Sequence, residues 1–319
     1  MSRTLYITLF MLATVFASCQ KDLSTGDTDF TVSIDKSTLA LGDTARFRFN
    51  GNPDIVTFYS GEAGKRFEYS GRATADGTPV LTFNSVRANG TQPNSLQLMV
   101  STDFKGVAKG DTVTTKANIA AATWTDITSR ATLSSGSTSA TPSGAINLSD
   151  FASAGKPVFF AFKYNAAAGT IQNRWTITSF SIKNELADGT TYEIANLNSS
   201  TTPYQVYGVD TFSPGWAGYT LQNTYLWNIT STQLMITGAT TTATAKETAE
   251  AWAIIGSINL RKVVPDVGVL IKNPTQSLSA SAFTYKYAAK GSFNAVFVGG
   301  SIDINREKFV QKSVKVNVN

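Results

Sequence analysis

Histidine is absent from this sequence of 319 residues, and cysteine occurs once. These absences exclude a zinc site built from histidine and cysteine ligands, a Ser-His-Asp triad, a Cys-His dyad and a histidine-ligated haem. A single cysteine also excludes an intramolecular disulfide. The groups that remain for catalysis are carboxylate pairs, lysines and tyrosines.

Charged residues are also scarce, at 15% of the chain, and the net charge is +5. The positive charges are spread along the sequence without a lysine and arginine cluster. Binding to nucleic acid phosphates needs a concentrated basic face, so we expect no nucleic acid partner. Abundant Thr, Ser, Asn and Gly, with 42% hydrophobic residues, are typical of a secreted all-β protein with a sizeable core.

The N-terminal segment has the pattern of a signal peptide. Arg3 precedes an apolar run over 5–17, which is shorter than the roughly 20 residues of a membrane-spanning helix. The end of this run, Val15-Phe16-Ala17-Ser18-Cys19, resembles the bacterial lipobox. The resemblance implies cleavage after residue 18 and a lipid-bearing Cys19 at the new N-terminus.

The polar residues 19–29 are predicted to form the lipidated tether. Each buried CH₂ of an acyl chain contributes about 0.8 kcal/mol, so several chains make a lasting anchor. We therefore expect an outer-membrane, lipid-anchored protein exposed on the cell surface. The alternative is an ordinary secretory signal with an incidental cysteine.

Residues 30–70 alternate apolar and polar side chains, which predicts three half-buried strands over 30–34, 45–49 and 56–59. Their order, with a Gly-Asp turn and a Gly-rich turn between them, resembles the first half of a PKD-type immunoglobulin-like sandwich. The stretch 54–62 resembles the opening of an uncharacterised lipoprotein domain family from Bacteroidetes polysaccharide-utilisation loci. That resemblance assigns no chemistry to these residues.

Residues 73–262 contain many short strands separated by turn signals, a pattern that favours a sandwich or jelly roll. The motifs S-T-D-F at 101–104, W-T-D-I-T at 124–128 and V-F-F-A-F-K-Y at 158–164 carry a family resemblance. In this order they resemble the adhesin-type, choice-of-anchor-like jelly roll of bacterial surface proteins, a galactose-binding-like fold.

Residues 263–319 resemble the late strands of a PKD-type domain, because Tyr285, Tyr287, Gly291, Phe293 and Phe297 fit the frame of a hairpin. Two arrangements are open. Either 30–70 and 263–319 form one discontinuous domain into which the jelly roll is inserted, or two small sandwiches flank the jelly roll. In both, the predicted fold is all-β: an Ig/PKD-like sandwich plus a jelly roll.

The leading candidate ligand site is Trp216, in a loop-like stretch rich in Gly and Pro. Sugars stack on exposed aromatic rings, and four nearby tyrosines are further members of the set: Tyr204, Tyr207, Tyr219 and Tyr225. The alternative is that Trp216 folds back onto the core. Three tryptophans in strand-like contexts are predicted core residues: Trp124, Trp175 and Trp252.

No catalytic site, metal site or cofactor is predicted. Asp103 and Asp126 sit near strand ends, where turn and hydrogen-bond roles are favoured over a paired-carboxylate site. Ca²⁺ is the one metal ion considered, because Asp303, Asn305 and Glu307 offer oxygen atoms at alternate positions in the sequence.

The expected function is therefore non-catalytic binding of extracellular polysaccharide or oligosaccharide beside an outer-membrane uptake receptor. The evidence for glycan comes partly from the family resemblance. The first alternative is a structural or adhesive module that binds protein partners. A glycoside hydrolase is the least favoured reading, since no catalytic signature accompanies the absence of histidine.

Overall fold

The computed structural model describes residues 29–108, 110–136, 139–152, 156, 158–197, 215–275, 282–302 and 307–319. These residues are mostly β-structure, which confirms the predicted all-β sandwich class. The strands in chain order are β1 (Thr31–Ile34), β2 (Thr38–Leu39), β3 (Thr44–Asn50), β4 (Ile55–Tyr59), β5 (Thr78–Asn89), β6 (Leu96–Ser101), β7 (Thr125–Asp126), β8 (Thr141–Pro142), β9 (Ile146–Asn147), β10 (Val158–Ala166), β11 (Asn173–Glu185), β12 (Thr191–Asn196), β13 (Trp216–Gln222), β14 (Asn228–Ile229), β15 (Gln233–Thr237), β16 (Ala249–Ile258), β17 (Val269–Lys272), β18 (Phe283–Lys286), β19 (Gly291–Ile302) and β20 (Glu307–Val318).

The helical segments of the described residues are few. They comprise the α-helix α1 (Thr112–Ala121) and 3₁₀ turns at Phe67–Tyr69, Thr128–Arg130 and Ser149–Phe151. Within the described ranges, no helix is long and apolar enough to cross a bilayer.

The chain divides into two compact units. Unit 1 consists of Met1–Gly71 and Pro265–Asn319, and unit 2 consists of Arg72–Val264. Unit 1 is therefore discontinuous in sequence, and unit 2 is the segment inserted into it.

In its described residues, unit 1 contains a sheet of order β1-β3-β18 and a sheet of order β17-β4-β19-β20-β2. Both sheets combine strands from the two ends of the chain, since Phe47 of β3 is opposite Phe283 of β18 and Phe58 of β4 is opposite Phe297 of β19. The rings of Phe58 and Phe297 are 4.9 Å apart between centroids. Neither half could cover these faces alone.

Unit 2 packs one sheet of order β13-β16-β10-β6-β7 against a larger sheet along the path β14-β15-β11-β5-β8, to which β12 and β9 are added. The main core lies on their inner faces. β11 alternates buried Trp175 and Ile177 with partly exposed Thr176 and Thr178, as expected for a half-buried strand. β10 is buried over Val158–Phe162, because its sheet is covered on both faces.

The outer face of the β13–β7 sheet carries a second apolar cluster. Phe159, Ala161, Trp252 and Ile254 point to this face and pack with residues of α1 and its flanking loops, including Ile119. The helix α1 was not predicted from the sequence. It begins after Asp111, whose carboxylate caps it by accepting from the backbone N–H of Thr114 at 2.8 Å. The part of this face toward the C-terminal end of β10 is not apolar and is described next.

Candidate functional site

Trp216 is not on an exposed loop, and the prediction of a stacking platform there is corrected. It is the first residue of β13, where pairing with Ile255 of β16 directs its ring inward. The side chain is 0% exposed. Its ring lies 4.9 Å from that of Phe180 and 5.8 Å from that of Phe162, between centroids, so Trp216 is a core residue.

Of the four tyrosines predicted to join Trp216, the two that the structure describes do not form an exposed surface with it. Tyr219 is half-buried on the outer face of the sheet, and burial raises the pKa of its phenol. Tyr225 is half-buried against the main core. Tyr204 and Tyr207 lie outside the described residues.

The strand tryptophans pack largely as expected. Trp175 and Trp252 are buried, and Trp124 is half-buried against Trp252 with ring centroids 5.0 Å apart. The indole N–H of Trp252 donates to Glu250 Oε1 at 2.7 Å. Lys163 Nζ lies 3.5 Å from Glu250 Oε2 and 5.2 Å from the Trp252 ring centroid, so one carboxylate, one ammonium and one ring form a compact group.

This group borders an open cleft in unit 2, which we call the strand-end cleft. Its volume is about 670 Å³, and its lining comes from 91–94, 165–167, Thr170, Gln222 and 248–250. These segments meet because β10, β13 and β16 all place one end at the same edge of the sheet. Glu250 is the one charged side chain among the described lining residues.

Three loops that surround the cleft are fixed by buried amide side chains. Gln92 donates to the carbonyl oxygen of Ala167 at 2.8 Å and accepts from the backbone N–H of Ala167 at 2.9 Å. Asn173 accepts from Gln92 N and donates to Gln92 O. Gln172 donates to Glu247 O at 2.8 Å and accepts from Ala239 N at 2.9 Å. A cleft held in this way is largely preformed, which lowers the entropic cost of binding a ligand.

Sequence reasoning missed this cleft. Its lining residues are polar or small, and they come from separate turns and strand ends that carry no local motif. The Thr/Ala-rich stretch 239–249 gave the one available signal, because a structured connection without large apolar residues depends on side-chain hydrogen bonds such as those of Gln172.

Asp103 and Asp126 have the turn roles that were favoured for them. Asp103 accepts from Ser101 Oγ at 2.8 Å and from Thr123 N at 2.9 Å. For Asp126, burial opposes ionisation, but hydrogen bonds from Thr128 and Gln97 outweigh it and hold the pKa below its usual range.

The Ca²⁺ site considered from the sequence lies only partly within the described residues. Asp303 and Asn305 lie outside the described residues, and Glu307 is exposed. Elsewhere in the described ranges, no group of three or more acidic side chains is arranged to hold a metal ion.

In unit 1 the stretch 54–62 contributes a structural junction. Glu62 accepts from Tyr285 OH at 2.6 Å and from the backbone N–H of Ala288 at 2.8 Å. Lys65 Nζ donates to the same Tyr285 hydroxyl at 3.0 Å. These contacts join β4 and the segment after it to the C-terminal strands.

The fold and cleft define a two-unit all-β protein with a polar pocket at a sheet edge. The family model described as Domain of unknown function (DUF5017) matches residues 18–202, and the chain belongs to this family. Membership confirms the expectation of an uncharacterised family. The comparison with curated proteins gives no significant match. The comparison with solved structures gives none either.

Proposed function

We propose that this protein is a lipid-anchored cell-surface protein that binds extracellular glycan and assists its capture or uptake, without catalysis and without a cofactor. The observation that carries the proposal is the strand-end cleft. Its lining offers amide, hydroxyl and carboxylate groups on loops that are already fixed, together with small apolar surfaces such as Pro93 and Ala167. Sugars need this combination, because their hydroxyl groups alternate with apolar C–H surfaces.

The cellular location is proposed from Cys19, which lies outside the described residues. A lipid on Cys19 would hold the protein at the outer membrane of a Bacteroidetes-type cell, beside an uptake receptor of a polysaccharide-utilisation system. Many anchored copies would raise a modest affinity for a long polysaccharide through avidity.

Detergent partitioning of the full-length chain expressed in such a host tests the anchor. Wild-type protein is expected in the detergent phase and the Cys19→Ala variant in the aqueous phase. Equal partitioning of the two proteins would contradict the proposal that Cys19 carries a lipid.

A protein-binding module is the second candidate, favoured by an exposed apolar edge in unit 1. Val269 and Leu270 of β17, at the edge of their sheet in the described residues, are 49% and 57% exposed. Val267, just before this strand, is 66% exposed. Exposed apolar edge strands are common sites of strand addition by a partner.

Retention of the mature chain on a broad panel of polysaccharides, by glycan microarray and affinity gel, tests glycan binding. The variant Asn165→Ala/Gln222→Ala removes two side chains of the cleft and is expected to lose retention. The matched control Thr178→Ala/Gln233→Ala changes a facing pair on the other sheet and is expected to keep it.

No retention of wild-type protein on any polysaccharide would overturn the proposal. Equal retention of both variants would place binding elsewhere. Capture of a protein partner that is lost in Val269→Ser/Leu270→Ser would favour the second candidate.

A further inference from the structure

Three side chains of the strand-end cleft stand in one row across neighbouring strands. Asn165 of β10 is opposite Glu250 of β16, and Glu250 is opposite Gln222 of β13. Directly opposed residues point to the same face of a sheet, so these three side chains form a continuous wall.

Two of the three, Asn165 and Gln222, have an amide oxygen left over after their contacts within the described residues, and Glu250 adds a carboxylate. Asn165 Nδ2 donates to Gln97 Oε1 at 2.7 Å, and Gln222 Nε2 donates to Thr248 Oγ1 at 2.7 Å. Within the described part of the chain, Asn165 Oδ1 and Gln222 Oε1 accept no hydrogen bond. Glu250 Oε1 accepts from the Trp252 indole N–H, and Glu250 Oε2 lies 3.5 Å from the ammonium of Lys163.

The orientation of the Asn165 amide follows from a chain of contacts that begins outside the cleft. Asp126 Oδ1 accepts from Thr128 N at 2.8 Å, and Asp126 Oδ2 accepts from Gln97 Nε2 at 2.7 Å. An ionised carboxylate can only accept, so Gln97 must turn its NH₂ to Asp126 and its oxygen to Asn165. Asn165 must then use its own NH₂ on Gln97, and its oxygen remains for a ligand.

The wall therefore presents two amide oxygens on either side of the Glu250 carboxylate, and each amide NH₂ keeps a second N–H that can donate. The loops add groups that can donate as well as accept, such as the threonine hydroxyls and the Asn94 amide, so the charge of the lining is set by Glu250. Lys163 does not line the cleft, and its ammonium is engaged by Glu250 and by the face of Trp252. A ligand carboxylate or sulfate would find no cation among the described lining residues and would face the charge of Glu250.

We infer that the strand-end cleft selects glycans by charge, taking neutral sugars through their hydroxyl groups and rejecting uronic acid and sulfated sugars. This inference rests on the proposed glycan-binding function. Glu250 is then the specificity-determining residue, and Gln97 and Asp126 are positioning residues that act through Asn165.

The test compares neutral and anionic polymers: galactan with polygalacturonate, mannan with alginate, and dextran with dextran sulfate. Binding of the mature chain is measured by biolayer interferometry at 0.15 M and 1 M NaCl, because the net positive charge gives weak salt-sensitive binding to any polyanion. For at least one pair, we expect the neutral polymer to bind at least about tenfold more tightly at 1 M NaCl, the size of one lost charged hydrogen bond.

Two near-isosteric variants probe the wall. Glu250→Gln replaces an acceptor by an NH₂ donor and is expected to lose about tenfold in affinity for the neutral polymer, with a smaller neutral-to-anionic ratio. Asp126 lies outside the cleft. The substitution Asp126→Asn introduces an NH₂ that can donate to Gln97, so the side-chain amides of Gln97 and Asn165 can both turn over. This variant is expected to lower the same neutral-to-anionic ratio. Glu185→Gln, the same change on an exposed residue of β11 in the other sheet, is the control and is expected to leave both affinities unchanged.

The outcomes separate the two claims. Equal binding to both members of every retained pair, or a ratio that neither Glu250→Gln nor Asp126→Asn moves, overturns the inferred selection by charge and leaves glycan binding standing. Retention on none of the polymers overturns the proposed function and the inference with it. Thermal unfolding of each variant shows whether a loss of binding is a loss of fold.

Discussion

At the scale of single residues, Glu62 shows how unit 1 is closed. Its carboxylate contacts Tyr285, a residue 223 positions away, and also accepts from Ser60 Oγ at 3.0 Å. The preceding Gly61 has φ +85°, and a Cβ there would lie 2.8 Å from the backbone nitrogen and oxygen of Asn294. Close approach to β19 therefore requires glycine, and Glu62 is held where it reaches Tyr285.

Gly64 gives a matched control for Gly61. Its φ is +79°, but nothing lies within 4 Å of a Cβ at that position. Gly64→Ala should cost about 1 kcal/mol of unfolding free energy, the usual penalty of a left-handed alanine. Gly61→Ala should cost about 1–3 kcal/mol more, because the backbone of β19 must move. Urea unfolding measures both, and equal costs would contradict the close approach.

At the scale of elements, the β-strands were the predictable part. In β3, Ala45 and Phe47 are buried and Arg46 and Arg48 are exposed, as the alternation predicts. The helix α1 escaped prediction because its sequence TVTTKANIAA has three β-branched threonines and no clear apolar stripe. Its buried contacts, Thr115 and Ile119, are evident only once the outer face is known.

The cleft and the position of Trp216 could not be predicted for a related reason. Pro214, Gly215 and Gly218 are typical of a loop, but the direction of the Trp216 ring depends on the register of β13 against β16. The wall of Asn165, Gln222 and Glu250 likewise exists only through strand pairing. Local sequence indicates where strands form and carries little information on which strand ends meet.

Substitution of Trp216 separates its core role from a ligand role. Trp216→Ala should lower the unfolding free energy by about 3–5 kcal/mol, as expected for a large cavity in the core. Trp216→Phe keeps a ring against Phe162 and Phe180 and should cost less than half as much. Unchanged stability of the alanine variant together with lost glycan binding would contradict the core assignment.

At the scale of the whole molecule, the family match and the folding units do not coincide. Residues 18–202 include β4 and β10 but omit β17 and β19, which flank β4, and β16, which pairs with β10. The predicted alternatives for the two chain ends could not be separated by sequence patterns, since each half shows correct strand periodicity on its own. Their pairing is a long-range property.

Fragments of the chain test this division. Residues 72–264 should fold cooperatively alone, because both sheets of unit 2 lie within them. Residues 19–202 should not fold, since central strands of both units lose neighbours. Amide dispersion in NMR spectra and urea unfolding report the result. A dispersed spectrum with cooperative unfolding for 19–202 would contradict the assignment of the units.

The pH dependence of stability should follow from the carboxylates and tyrosines, since histidine is absent. Hydrogen bonds lower the pKa of Asp103, and hydrogen bonds outweigh burial in lowering that of Asp126. Their contribution is present above about pH 4 and is lost as the pH falls through the lower folded values. Burial raises the pKa of Tyr164 and Tyr287, so stability should also decline above about pH 10.

Between those limits the unfolding free energy should be constant, from about pH 5.5 to 8.5. Chemical unfolding at a series of pH values gives the profile. A step near pH 6–7 would contradict this account of the titrating groups.

Hydrogen–deuterium exchange of the mature chain, with and without a saturating oligosaccharide from a polysaccharide that retains it, tests the central claim most directly. We expect the ligand to slow exchange in 91–94, 165–167 and 248–250, which line the strand-end cleft, and to leave unit 1 unchanged. Protection in unit 1, or in unit 2 only outside the segments of the cleft, would contradict the claim that this cleft binds glycan.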